Sequence, residues 1–119
     1  IFNKYKQWFH MPDAEEGADP CWFAFLLTLK EEAPFTKDSF INYMEENRIQ
    51  TRSYFSGNIL YHPGYIHLAE GMDLDKQFPI AKQVTTNSFF LGTFIGITKE
   101  HLDYIEGVVD KFMASRLEV

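Results

Sequence analysis

The chain has 119 residues, 45% of them apolar, 17% aromatic and 24% charged, with 11 Lys and Arg against 17 Asp and Glu, a formal charge of −6. This composition suits one globular domain with a real core and excludes a disordered chain. The acidic balance argues against a domain that tracks nucleic-acid phosphates, and no apolar run approaches the ~20 residues of a membrane span. A single cysteine, Cys21, excludes internal disulfides and all-cysteine metal sites. No signal peptide is read. The first residue is Ile1 rather than Met, so the chain is expected to be a piece of a longer protein.

Residues 1–9 space Phe2, Tyr5 and Phe9 by three and four, which predicts the end of an amphipathic helix, one that begins upstream. Residues 10–20 (HMPDAEEGADP) combine two prolines, a glycine and four acids and read as an exposed connector. Residues 21–30, CWFAFLLTLK, are short for a buried helix, and their Trp and Phe favour a central strand. Thr36 is a good helix N-cap, with Asp38 at the positive end of the dipole. Phe35 and Phe40 have the spacing of a hydrophobic staple, and Phe40, Ile41 and Met44 continue the stripe. These predict a helix over 37–46, with Asn47 as a left-handed stop. Ile49 to Phe55 reads as a strand, and residues 56–76 as mostly loop. A helix is expected over 78–87, with Pro79 in its first turn, and a strand from Ser88 to Phe94. Thr98 caps a last helix, and Ile97 with Leu102 repeats the staple spacing. Its apolar stripe runs through Leu102, Ile105, Val108 or Val109, and Phe112. This order predicts an α+β two-layer domain, a small and mostly antiparallel sheet with helices on one face.

Few residues point to chemistry. Cys21 reads as a packed or half-exposed inert thiol, since no base or helix N-terminus stands beside it in sequence. His62 and His67 are five apart across Pro63-Gly64 with no cysteine to join them, so no zinc site is expected. His101 falls in the first turn of the last helix and reads as solvated. His62 differs, because it lies in a loop rich in glycine and aromatics. Arg52, followed by Ser56, Gly57 and Asn58, can hold a carboxylate or phosphate oxygen in its fork; the alternative is an ordinary surface ion pair. Tyr54, Phe55, Tyr61 and Tyr65 either bury against the sheet or pack on a flat ring or another chain. Gly57-Asn58 lacks a nucleotide fingerprint, Asp73 and Asp75 are no catalytic pair, and no Ser/His/Asp order stands out. The residues alone define a small α+β module with one functional-looking loop, 51–67.

That loop carries a resemblance. The string IQTRSYFSGNILYHPGY (49–65) resembles the IQTR-x-x-F-x-GN-x-x-x-HP-x-[FY] stretch of the nucleotide-sugar 3-dehydrases. These belong to the DegT/StrS superfamily of sugar aminotransferases, within the aspartate-aminotransferase fold (fold type I). PCWFAF (20–25) is similar to the family's PSWFGF strand. FPIAKQVTTNSFFLGTFIGIT (78–98) is similar to its linker helix, its N-S-F-[FW]-[VIL]-G strand and the following turn, and EHLDYI (100–105) matches as well. The resemblance implies the C-terminal small domain of a longer enzyme, with residues 1–20 as the end of an interdomain helix and its connector and 21–119 as the domain proper.

What the resemblance implies is a vitamin B6 enzyme of deoxysugar and lipopolysaccharide biosynthesis. Pyridoxamine or pyridoxal 5′-phosphate would bind mostly outside this chain. The cofactor amine condenses with the 4-keto group of a nucleotide-linked 6-deoxyhexulose, a His base moves a proton, and the C3 hydroxyl leaves. Carried over by position, Arg52 and Asn58 would make polar contacts with substrate or active-site groups. Phe55 would shield the cofactor side, Gly57 would permit close approach, and His62 would order the loop. No catalytic residue and no metal ligand is expected in the chain itself. The catalytic base, the phosphate-binding residues and any iron–sulfur cysteines would lie outside it, and Cys21 stands where the family has Ser. The implied partners are a 4-keto-6-deoxy nucleotide sugar, a second subunit and a reductase, in the cytoplasm, with neither nucleic acid nor membrane. A true sugar aminotransferase usually reads T-R-x-H-Y-x-P-x-H here and S-L-P before the last turn, whereas TRSYFSGN and SFF favour the dehydrase branch. A stand-alone ligand-binding or interaction module is the alternative from another class. Gly64 and Phe94-Ile95 depart from the common Cys and Tyr-Pro and leave the exact substrate open.

Overall fold

In the computed structural model, residues 1–117 are described, the side chain of Leu117 excepted. Four strands form one antiparallel sheet: β1 (Phe9–His10), β2 (Ala24–Leu29), β3 (Thr51–Ser53) and β4 (Ser88–Gly92), in the order β1-β2-β4-β3. The helices are α1 (Lys37–Glu46), α2 (Leu74–Gln77), α3 (Pro79–Asn87) and α4 (Lys99–Leu117). The α+β architecture with a small antiparallel sheet is the one the sequence predicts.

Strand alternation separates two faces. Register pairs Phe25 with Leu91 and Leu27 with Phe89, while Thr51 and Ser53 lie opposite Leu91 and Phe89. That face is the core. Leu27, Leu29, Phe89 and Leu91 are buried there with Phe40 and Met44 of α1 and Val108, Val109, Phe112 and Met113 of α4. The other face carries Leu26, Phe90 and Arg52 side by side. α3 touches β2 and β4 but adds no residue to the core cluster.

Phenylalanine rings dominate the core. Phe40 lies 5.5 Å from both Phe9 and Phe89 and 5.1 Å from Phe112, centroid to centroid. The pairs with Phe9 and Phe112 are edge-to-face, a geometry that adds about 0.5–1.5 kcal/mol each beyond burial. The staple before α1 forms, with Phe35 and Phe40 stacked at 6.1 Å, and the Thr36 hydroxyl accepts the Ser39 N–H at 3.2 Å. The left-handed residue after α1 is not Asn47, whose φ is −91°, but Arg48, at 60°.

The expected helix over 1–9 is not there. A 3-10 turn spans Phe2–Tyr5 and the chain then turns into β1, an edge strand paired with β2. Both forms bury Phe2 and Phe9, which is why spacing alone misleads; pairing with β2 satisfies backbone groups that a lone helix end would leave open. The segment is clamped to α4. Lys4 Nζ lies 2.5 Å from Glu106 and 3.0 Å from Asp110, and the Tyr5 hydroxyl donates to Asp110 at 2.7 Å. Leu102, expected on the buried stripe of α4, is 45% exposed; the stripe tightens to Val108, Val109, Phe112 and Met113.

Two tests follow from core and clamp. Phe40→Ala is expected to lower stability by about 3–5 kcal/mol, read as a fall in urea midpoint. The Tyr5 hydrogen bond holds the Asp110 carboxyl below its ordinary range, and desolvation, then Asp110, pushes Tyr5 from 10.0 up to about 12. Asp110's share of stability is therefore present above the ordinary carboxylate range and lost as pH falls through its lowered value. Tyr5's share is full below pH 10.0 and lost as pH rises through about 12. The stability advantage of the native chain over Asp110→Asn is expected at neutral pH and to vanish in strong acid, in paired urea titrations.

Candidate functional site

The aromatic loop starts from β3, which is short but firmly held. Glu45 of α1 accepts the Thr51 backbone N–H at 2.6 Å and its hydroxyl at 2.7 Å through one carboxylate oxygen. Those two bonds hold the Glu45 carboxyl below its usual range. The expected strand 49–55 is thereby cut to Thr51–Ser53, because the chain leaves the sheet at Tyr54. Arg52 points away from the core, opposite Phe90. It is exposed and has no ion-pair partner among the described residues.

Phe55 follows at φ 48°, a left-handed conformation that a bulky residue rarely takes. Its ring lies 6.0 Å from Phe90 and 6.3 Å from Phe23, the latter stacked at 23°, and it remains 69% exposed. Phe23, Phe55 and Phe90 thus make an open aromatic platform beside Arg52.

The loop then lies on α3. Gly57 has φ +63°, and a Cβ there would come within 2.5 Å of the Thr85 hydroxyl. The close approach lets the Asn58 N–H donate to Thr85 Oγ1 at 2.9 Å, while that hydroxyl donates to the Ala81 carbonyl at 2.7 Å. The Asn58 side-chain oxygen accepts the Leu60 N–H at 3.1 Å and caps the 3-10 turn Ile59–Tyr61, leaving its amide Nδ2 for other partners. His62 Nε2 donates to the Ser56 carbonyl at 2.7 Å and closes the loop on itself. The Tyr61 hydroxyl donates to Asp75, which pairs with Lys82 of α3 at 2.6 Å. That chain raises Tyr61 and Lys82, the Asp75 bond being the first cause in each, and the Lys82 contact lowers Asp75.

Arg52, Phe55, Gly57, Asn58 and His62 therefore share one loop, yet their tasks differ. Arg52 and Phe55 face outward, whereas Gly57, Asn58 and His62 make contacts that shape the backbone. Thr85, Asp75 and Lys82 were invisible as site residues, because their partners lie 27, 14 and 7 positions away in the chain. Tyr61 and Tyr65 are exposed rather than packed on the sheet. Cys21 is exposed, not packed, because β2 begins three residues later. His101 accepts the Thr98 N–H on Nδ1 at 3.0 Å, so it helps cap α4 rather than standing free. Among the described residues no group of three His, Cys, Asp or Glu is placed to hold a metal, and no helix is long and apolar enough to cross a membrane.

Gly57→Ala tests this anchoring. It adds left-handed strain of about 1–2 kcal/mol and a clash with Thr85. The expected result is a lower melting temperature together with faster hydrogen exchange at the Asn58 amide, the core amides keeping their order of protection.

Comparison with known proteins places this geometry. Residues 2–110 match the model of the DegT/DnrJ/EryC1/StrS aminotransferase family. The chain is 28% identical over 106 residues to the lipopolysaccharide biosynthesis protein RfbH of Salmonella typhimurium, covering 89% of this chain and 24% of that protein. It is 32% identical over 104 residues to dTDP-4-dehydro-2,6-dideoxy-D-glucose 3-dehydratase of Saccharopolyspora spinosa, covering 87% and 22%. Among solved structures, an E. coli GDP-4-keto-6-deoxy-D-mannose-3-dehydratase with bound hydrated PLP superposes with a TM-score of 0.64 at 18% identity, over 90% of this chain and 27% of that one. A mutant of GDP-4-keto-6-deoxymannose-3-dehydratase with bound GDP-perosamine gives 0.63 at 19% identity, over 90% and 28%. The chain spans about a quarter of the length of these relatives. With the family model matching all but the ends, the chain belongs to the DegT/DnrJ/EryC1/StrS aminotransferase family.

Proposed function

We propose that these 119 residues are the C-terminal small domain of a nucleotide-sugar 3-dehydrase that acts on a 4-keto-6-deoxyhexose in deoxysugar or lipopolysaccharide biosynthesis. The observation that carries the reading is Arg52, exposed on β3 beside the Phe23–Phe55–Phe90 platform and without an ion-pair partner among the described residues. The 3-dehydratases named among the relatives support the reaction class.

The residues present flank a vitamin B6 cofactor rather than hold one. Segment 51–67 contains no lysine, and its loop amides are spent on Thr85 and on its own turns. Pyridoxamine or pyridoxal phosphate would supply the electron sink for loss of the C3 hydroxyl. The chain's own contribution is positional. The Arg52 fork orients an oxygen of the substrate or an active-site carboxylate, in a geometry an ammonium does not copy. The phenylalanine rings keep water from that side, and the Gly57–Thr85 contact with the His62–Ser56 bond fixes the loop that presents them. On this reading the chain alone is not catalytic, and any iron–sulfur cluster lies outside it. The whole enzyme works as a cytoplasmic homodimer, with a reductase acting with it or after it.

Arg52→Lys in the longer enzyme is the test. Transition-state binding is expected to fall by about 1.4–4 kcal/mol, a 10–1000-fold loss in kcat/KM. Thermal stability is expected to move little, because exposed pairs contribute ~0–1 kcal/mol. Normal turnover by a folded Arg52→Lys enzyme would remove Arg52 from the site.

A further inference from the structure

A second feature lies around the β3 edge from the aromatic platform. A groove of about 730 Å³ runs between β3, the end of β4 and the first turns of α4. Arg48, Arg52, His101, Phe90, Phe94 and Tyr104 are among its lining residues. In a chain of net charge −6 it gathers two of the three arginines, and Glu100 is the one carboxylate in its lining. The nearby Glu45 carboxylate is already engaged by Thr51, although it also feels the charge of Arg52. Neither Arg48 nor Arg52 has an ion-pair partner among the described residues. His101 uses Nδ1 to accept the Thr98 N–H, so its Nε2–H is a free donor.

Arg48 is the informative residue. It stands at φ 60°, directly after α1, where glycine or asparagine is the unstrained choice. The backbone explains the angle, because the Arg48 N–H donates to the Glu45 carbonyl and the Ile49 N–H to the Met44 carbonyl, both at 2.9 Å, and so close α1; the guanidinium, by contrast, has no ion-pair partner among the described residues. The surroundings are also fixed: the Tyr104 hydroxyl donates to the Asn47 carbonyl at 3.0 Å and ties α4 to the turn that carries Arg48.

We propose that this groove binds a small molecule bearing an oxyanion, phosphoryl or carboxylate, with the Arg48 and Arg52 guanidiniums as its ligands and His101 Nε2 as a further donor. Two planar forks, one from the turn after α1 and one from β3, match a polyanion better than a single charge, and the Phe90, Phe94 and Tyr104 rings give its uncharged part an apolar surface. The proposal shares Arg52 and Phe90 with the function proposed above; Arg48 and His101 lie outside it.

The experiment titrates inorganic pyrophosphate, and separately citrate, into the full chain by calorimetry and by amide and side-chain shifts. Saturable binding is expected with shifts at Arg48, Arg52 and His101; the tighter of the two probes identifies the phosphoryl or the carboxylate source. Arg48→Gly supplies the decisive contrast, because it removes the guanidinium and relieves the left-handed strain. Affinity is expected to fall at least tenfold while the melting temperature holds or rises, whereas Arg48→Lys retains part of the affinity. Undiminished binding by Arg48→Gly, a fall in its melting temperature, or the absence of saturable shifts in the groove with both probes would each overturn the proposal. None of these readouts uses sugar turnover. An Arg52→Lys enzyme with normal turnover would leave this proposal standing, and unchanged anion affinity in Arg48→Gly would leave the dehydrase reading standing.

Discussion

The register of β4 is the constraint on which both the core and the site depend. This strand lies between β2 and β3 and sends Phe89 and Leu91 to one face and Phe90 to the other. A slip of one residue exchanges the faces. It would put Phe89 into solvent and drive Phe90 among the rings of Phe9, Phe40 and Phe112. The register is secured twice: by burial of Phe89 against Phe40, and by the Thr28–Ser88 hydroxyl pair at 2.7 Å on the opposite face. Because Arg52 sits opposite Phe90, the packing that fixes the core also fixes where the guanidinium emerges.

The loop after β3 inherits this order through few contacts. Its backbone meets α3 at one residue, Thr85, whose hydroxyl accepts from Asn58 and donates to its own helix. Only glycine at position 57 allows that approach. The Tyr61–Asp75–Lys82 chain adds a second tether, from the 3-10 turn to α3 by way of α2. These pairs are exposed, so each contributes little to global stability. Their effect is on the position of the loop, which is what a site on a loop requires.

How far the sequence alone reached follows from the range of the interactions. α1 was legible to the residue, because Thr36, the Phe35–Phe40 staple and the stripe to Met44 are local signals that agree. β2, α3, β4 and α4 were legible within a few residues for similar reasons. Residues 1–9 misled because Phe2 and Phe9 reach the same core from a 3-10 turn and a strand as they would from a helix, and the pairing that decides lies with Leu29 and Thr28. Leu102 misled because the helix stripe begins one turn before the core does. In the site, Arg52, Phe55 and Gly57 stood out by type and motif. Thr85 did not, since a threonine in a helix carries no mark of the loop that will rest on it. Arg48 did not either: the left-handed turn falls on it rather than on Asn47, whose side chain suits that conformation better.

Among the described residues, the two non-glycine residues with positive φ, Arg48 and Phe55, stand on either side of β3. Each such conformation costs about 1–2 kcal/mol, and both strains fall within eight positions around a strand of three residues. A strand that short has little stability of its own. It persists because its backbone is bound to β4 on one side, because Glu45 of α1 binds both the N–H and the hydroxyl of Thr51, and because Ile49 is buried just before it. The strain is thus set between anchors that belong to the core. A mobile segment would relax Phe55 into an ordinary conformation and turn its ring away from Phe23 and Phe90. A segment anchored at Thr51 before Phe55 and, through Asn58 three residues after it, at Thr85 cannot do so without giving up the Asn58–Thr85 bond. The same anchors that make β3 short and rigid therefore hold the exposed aromatic platform and the two arginines in fixed relation to one another.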